Sequence, residues 1–260
     1  MAPLEVIYTD DDLIAINKPA GLTVHGPLRQ SGSPVSTRLD EAGEASGPQI
    51  REATLVDFVL ERFPEIRNVG EDPVRPGLVH RLDKDTSGVM VIARTQESFH
   101  RLKSLFQNRQ VEKTYWAIVC GTPRAREGTI ALSIGRLVKN PLKRGAEGDR
   151  ARVRGAREAA TEYRVLRANE RYALVELKPK TGRMHQLRVH MKALGHPVAC
   201  DTVYGGKNVC CPLDTLGADP NARRQLLHAH SLSFTLAEGK RMRFDADPPD
   251  DFTVALREIV

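Results

Sequence analysis

Polar and apolar positions change rhythm several times along this chain, and each change predicts an element. Two short apolar runs, Val6-Ile7-Tyr8 and Leu13-Ile14-Ala15-Ile16, flank the acidic break Thr9-Asp10-Asp11-Asp12, a pattern that predicts a hairpin. Asn17-Lys18-Pro19-Ala20-Gly21-Leu22 leaves that hairpin as a loop. From Gly26 to about Glu52 large apolar residues nearly vanish in favour of Gly, Ser, Pro, Arg and Glu, the composition of a flexible surface insertion. A helix is predicted over Thr54 to Arg62, with Thr54 as its cap and Leu55, Phe58 and Val59 on one face. The continuous apolar run Val89 to Ala93 predicts a buried strand, and Phe99, Leu102 and Phe106 within Glu97 to Gln107 predict an amphipathic helix after it. Further strands are expected at Tyr115 to Cys120, Ala173 to Leu177, and near Leu232-Ser233-Phe234 and Met242-Arg243-Phe244, with a short helix after Pro248-Pro249. No repeat is visible, and strands mixed with scattered helices favour one α+β domain over residues 1–260.

Charge narrows the partners. Lys+Arg number 39 against 33 Asp+Glu, a net +6 that suits RNA or an anionic membrane surface. No apolar run approaches the ~20 residues that span a bilayer, and acids occupy the N-terminus where a signal peptide wants positive charge, so a soluble cytoplasmic protein is expected. Aromatic residues are only 5%, too few for a broad base-stacking platform. The basic stretch Lys139 to Arg157 is expected to be an exposed loop, either disordered or facing RNA. Cys120, Cys200, Cys210 and Cys211 form no C-x-x-C pair and lack the spacing of a disulfide framework or zinc ribbon, which points to thiols in a reducing compartment.

The densest polar cluster is His80-Arg81-Leu82-Asp83-Lys84-Asp85-Thr86-Ser87-Gly88, immediately before the apolar strand. Asp83 sits between two cations with hydroxyl and backbone donors just downstream, surroundings that suit a positioned carboxylate nucleophile or base. Spacing alone favours the plainer reading, a capped turn in which Asp83 only satisfies backbone donors. Gly77-Leu78-Val79 and this cluster, continued through Val89-Met90-Val91-Ile92-Ala93, resemble the signature of RluA-type pseudouridine synthases, in which the Asp of H-R-L-D is catalytic. The resemblance implies the pseudouridine synthase fold, a mixed, largely antiparallel sheet core with flanking helices, and assigns catalysis to Asp83.

Two other segments carry the same resemblance. Lys113-Thr114-Tyr115-Trp116 opens an alternating strand that puts Lys113 and Tyr115 on one face, where Tyr115 is an ordinary core residue on pattern alone. The family's K-x-Y stretch implies that Tyr115 stacks on the target base. Thr181 to Lys192 reads as a helix with Met184, Leu187, Met191 and Leu194 on a buried stripe and His185, Arg188 and Lys192 on the opposite face. It resembles the family's G-R-T-H-Q-I-R-V-H, whose second Arg, here Arg188, pairs with the catalytic Asp. Met184 stands where Thr is usual, which implies a packing change without loss of chemistry. The offsets of His185, His190 and His196 do not converge on one helical face, so a metal site is not expected, and His190 and His196 are read as structural or RNA-contacting. Arg81, Lys113, Arg183, His185 and Lys192 remain as candidate RNA contacts.

The implied reaction breaks the bond between N1 of uracil and C1′ of ribose and rejoins the base through C5, with no net redox change, so no cofactor is expected. The implied partner is structured RNA, ribosomal or transfer, met by a monomer. Arg81 would enter the gap left by an extruded base or grip a phosphate, or else pair locally with Asp85. Two rivals stand: an inert RNA-binding protein on the same fold, and a hydrolase using Asp83 and Asp85 as paired acids.

Overall fold

A computed structural model describes residues 4–26, 52–148, 152–205, 211, 224–237 and 239–259. The insertion expected at 26–52 falls, but for its ends, outside the described residues. The predicted hairpin is β1 (Glu5–Thr9) and β2 (Leu13–Lys18), paired antiparallel. Its turn is set by Asp10, whose carboxylate accepts from the backbone N–H groups of Asp12 and Leu13 at 2.9 and 2.8 Å. The helix α1 (Leu55–Arg62) starts at Thr54 with a capping box closed by Asp57, as the sequence predicts. A 3₁₀ turn (Pro64–Asn68) follows. The strand β3 (Ser87–Ala93) is buried along its whole length because β2 flanks it and α2 (Gln96–Gln107) lies over it, while Thr95 caps that helix through the Ser98 amide.

The rest of the large sheet comes from β4 (Glu112–Cys120), β5 (Glu127–Ile130), β9 (Thr161–Ala168), β10 (Tyr172–Pro179), β11 (Leu227–Thr235) and β12 (Arg241–Asp245). Strand order is β1-β2-β3-β11-β4-β10-β9-β5, with β12 branching from β11. All pairs are antiparallel except β3 with β11, which run parallel over Ser87 and Gly88 against His228 and Ala229. That contact is where the two halves of the sheet meet, and it depends on glycine: Gly88 has φ +116, and a Cβ there would lie 2.2 Å from the Ala229 carbonyl oxygen.

Alternation along β4 and β10 splits the second half's core between two faces. Ala117, Val119, Val175 and Leu177 pack under Leu187 and Met191 of α3 (Gln186–Ala193), whereas Ile118 and Leu174 pack under Phe252 and Ala255 of α4 (Asp250–Leu256). Tyr115 touches both the first half's core and that of the α3 face, so it stands at their junction.

Three expectations need correction. Residues 139–157 are not a loop among the described positions: β6 (Ile134–Leu137), β7 (Asn140–Ala146) and β8 (Val153–Arg157) form a separate three-stranded antiparallel sheet. Its strands were hidden because arginines fill positions where an alternating pattern would show apolar residues. The helix over Thr181 to Lys192 is shorter than predicted, since His185 takes a left-handed conformation (φ 57, ψ 21) and α3 begins at Gln186. Met184 is therefore off the helix and 44% exposed instead of buried, and Arg188 is buried instead of solvated. Finally, Cys200 and Cys211 form a disulfide across 11 residues, a pairing that the fold creates and local spacing does not announce. The fold class itself, α+β on a largely antiparallel sheet, agrees with the prediction.

Candidate active site

Asp83 lies in the loop entering β3, where the Thr86 amide donates to its carbonyl at 3.1 Å and closes a tight turn. The turn rests on Lys18. This lysine ends β2 fully buried, and its ammonium donates to the carbonyls of Pro19, Leu22 and Lys84 at 2.7, 2.9 and 2.9 Å. Burial pulls its pKa down to about 7, against the opposing charges of Asp85 and Asp83. Three carbonyl acceptors require three N–H donors, so the ammonium is the form that fits. Lys18 thus fastens the loop after β2 to the loop that carries Asp83.

The Asp83 side chain is 23% exposed and opens into a cleft of about 360 Å³. Arg188 enters from α3. Its Nη1 donates to Asp83 Oδ2 at 3.2 Å, while Nε and Nη2 form a fork on Asp201 at 2.7 and 2.9 Å. Asp201 is completely buried, and its Oδ1 also accepts the Val203 and Tyr204 amides. Burial opposes the charge of Arg188, but the hydrogen bonds and charge of Asp201, followed by Asp83, outweigh it and raise the guanidinium pKa. The Tyr204 ring lies 5.0 Å beneath the guanidinium.

Tyr204 also orients His185. The Arg144 amide donates to the Tyr204 hydroxyl at 3.0 Å, so the hydroxyl proton is free to donate to His185 Nδ1 at 2.7 Å. That leaves the Nε2–H of His185 facing Asp83 Oδ1, 3.8 Å away. Burial lowers the imidazole pKa despite the pull of Asp83, which keeps the ring neutral at neutral pH. The left-handed turn at His185 is held by Gln186, which accepts from Thr181 Oγ1 and the Arg183 amide and donates to the Ala160 carbonyl.

Across the cleft stands Tyr115, beside a bulge where β11 slips register between Ala229 and Ser231. Burial raises its phenol pKa, and the Asp83 charge adds to the effect, so the ring is neutral. Lys113 borders the same cleft, as the alternation of β4 requires, and burial lowers its pKa. Arg81 is exposed at the cleft, with Nη1 3.3 Å from His25 Nε2 and no ion pair to Asp85 among the described residues. Arg183 borders this cleft and both neighbouring clefts.

The structure therefore gathers Asp83, Tyr115, Arg188, Arg81, Lys113, Arg183 and His185 around one space. Lys192 is exposed at the far end of α3 and lines none of these clefts, so its assignment to the site is not supported. His190 is buried between Thr161 Oγ1 and the Leu132 carbonyl, and His196 meets the Cys120 carbonyl, which makes both structural. Sequence reasoning missed the parts played by Lys18, Asp201 and Tyr204; a buried Arg188 needing a carboxylate is the signal that leads to Asp201. Asp83 is the one carboxylate among the described residues lining the cleft, and Asp85 is not part of the lining. That geometry disfavours a paired-acid hydrolase.

Comparison with known proteins agrees with this layout. Residues 12–193 match the family model described as RNA pseudouridylate synthase. An uncharacterized RNA pseudouridine synthase of Synechocystis sp. is 37% identical over 89% of this chain, which spans 61% of that protein's length. The ribosomal large subunit pseudouridine synthase D of Pseudomonas aeruginosa is 37% identical over 96% of this chain and 69% of its own. Among solved structures, human RNA pseudouridylate synthase domain containing 4 superposes with a TM-score of 0.72 at 28% identity, covering 98% of this chain and 92% of that one. No helix among the described residues is long and apolar enough to cross a membrane.

Proposed function

The chain belongs to the RNA pseudouridylate synthase family, and from that premise we propose that it isomerises selected uridines in structured RNA, with Asp83 as the group that works at the ribose. The observation that carries the proposal is the pairing of Asp83 with a buried, doubly anchored Arg188 in a cleft that also holds Tyr115.

A uridine flipped out of folded RNA costs a few kcal/mol of stacking and pairing, roughly, which contacts to the extruded base must offset. The cleft supplies them: Tyr115 packs against the uracil, its neutral phenol close to Asp83. The Asp83 carboxylate either attacks C1′ or removes the 2′ proton as the N1–C1′ bond breaks. The base rotates and bonds to C1′ through C5 as the carboxylate departs or the 2′ proton returns, and C5 then loses its proton while N1 gains one. Arg188 holds the carboxylate in one rotamer and offsets its charge. His185, neutral and pinned by Tyr204, presents an N–H on the other side of Asp83. Arg81, Lys113 and Arg183 at the rim take phosphates or fill the place of the flipped base. Nothing leaves and nothing is oxidised, so the chemistry asks for no exogenous reductant or energy source.

Relatives named ribosomal large subunit pseudouridine synthase D support large-subunit ribosomal RNA as one candidate substrate, with transfer RNA as the alternative. The test is to incubate the protein with uridine-labelled transcripts of both and separate the products. Pseudouridine in the ribosomal transcript is the expected result. Free uracil would instead indicate a hydrolase, and tight binding without product would indicate an inert binding protein.

A further inference from the structure

Three arginines stand side by side across the small sheet. Arg136 in β6 is the register partner of both Arg144 in β7 and Arg154 in β8. Directly opposed residues of an antiparallel ladder point to one face with Cβ atoms about 4.5–5.5 Å apart, and like charges so placed repel. Among the described residues no carboxylate stands in ion-pair range of these three, nor of Arg157 or Arg183, which border the same groove of about 490 Å³. An ordinary solvated basic face spreads its cations and mixes in acids. Here five arginines line a concavity in which, among the described residues, no acid takes part.

The groove is joined to the catalytic cleft. On the same face of the small sheet, Ile134 and Ala146 are buried with Val189 of α3 and with Tyr204, the residue that orients His185 toward Asp83. Arg183 and Met184 border both spaces. Whatever lies along β6–β8 is therefore led to Asp83.

We propose that this groove binds consecutive phosphates of the RNA strand that delivers the target uridine, with Arg136 and Arg154 as phosphate ligands and Arg183 at the junction with the cleft. The proposal rests on the RNA reading above and assigns a surface to it. Phosphodiester oxygens match the planar fork of a guanidinium, and a linear polyanion matches a groove that ends at a reactive carboxylate. An RNA strand relieves the repulsion along the arginine row; a neutral ligand would not.

The test uses the full chain with Arg136→Gln and Arg154→Gln combined, and a transcript of large-subunit ribosomal RNA as probe. Each phosphate contact contributes about 0.7–0.9 to the slope of log affinity against log salt, so the double variant should lose roughly 1.4–1.8 from that slope. Pseudouridine formation should lose about tenfold in kcat/KM, with most of the change in KM. The melting temperature of the free variant should equal or exceed that of the wild type, because a repulsive row has been dismantled. An unchanged salt slope overturns the proposal, as does a lower melting temperature with KM intact, which would make the arginines part of the sheet's own stability. Loss of binding to phosphatidylserine vesicles with the RNA slope unchanged would also overturn it, by giving the groove to a membrane. If the wild type makes no pseudouridine, the catalytic reading fails, while the difference in salt slope still decides the groove.

Discussion

Arg188 and Arg136 are the same residue type in opposite circumstances. Arg188 is 5% exposed, forked onto a buried carboxylate and joined to a second one. Arg136 is exposed and flanked on both sides by arginines. A buried cation without partners would be intolerable, so the fold surrounds Arg188 with Asp201, Asp83 and the Tyr204 ring, and in return the guanidinium has one position. An exposed cation can remain uncompensated, with water and salt in place of a partner until a polyanion arrives. The difference teaches how one molecule separates chemistry, which needs a fixed carboxylate, from grip, which needs available charge.

The surest way to break the compensated end is Asp201→Ala, which leaves Arg188 buried with only the partly exposed Asp83. Urea unfolding should show a loss of about 3–5 kcal/mol. A loss below about 1 kcal/mol would mean that the fork carries little of the structure.

Acid should weaken the parallel contact at which the two halves of the large sheet meet. His228, fully buried under the parallel contact between β3 and β11, bonds Ser87 Oγ and the Ala246 carbonyl, and burial lowers its pKa to about 4. The unfolded chain binds a proton near pH 6.5 that the folded one refuses, so this contribution is complete above pH 6.5 and declines as pH falls toward 4. At about 1.36 kcal/mol per unit the loss is roughly 3 kcal/mol by pH 4. Stability measured against pH should show this slope in the wild type and a shallower one in His228→Gln.

Arg136→Gln alone sharpens the comparison from the other side: the free protein should gain about 0.2–1 kcal/mol as one member of the like-charged row is removed. A comparable loss would show that the row is internally compensated. The smallest effect is expected at Met184, which is exposed at the rim where cleft and groove meet. Met184→Thr should shift stability by no more than about 0.5 kcal/mol and turnover by less than about twofold; a larger loss of turnover would place Met184 in contact with RNA.

Much of this arrangement was legible in the chain. Strands with continuous or alternating apolar residues, such as Val89 to Ala93, the helix capped at Thr54 and the amphipathic helix carrying Phe99, Leu102 and Phe106 announced themselves through local physics. The cluster around Asp83 was visible as polar residues crowded before a core strand, but a capped turn has the same pattern, and the family resemblance was needed to assign it chemistry. What stayed hidden depended on distant parts of the chain. The left-handed His185 is imposed by Gln186 bonding back to Thr181 and to β9, so a plausible helical stripe ran one turn too far. The small sheet escaped notice because the arginines that line its groove erase the alternation by which strands are read. Asp201 and Tyr204 acquired roles only when Arg188 proved to be buried, and the Cys200–Cys211 link only when the fold set the two residues side by side.

The most direct test of the account is pseudouridine formed per molecule of enzyme by Asp83→Asn, on a ribosomal transcript whose affinity is measured with the same preparation. The substitution keeps size and shape while removing the charge that Arg188 meets. The account predicts folded protein, RNA affinity within about threefold of wild type at equal salt, and turnover reduced at least about 10³-fold. Pseudouridine formation at anything near the wild-type rate would contradict it.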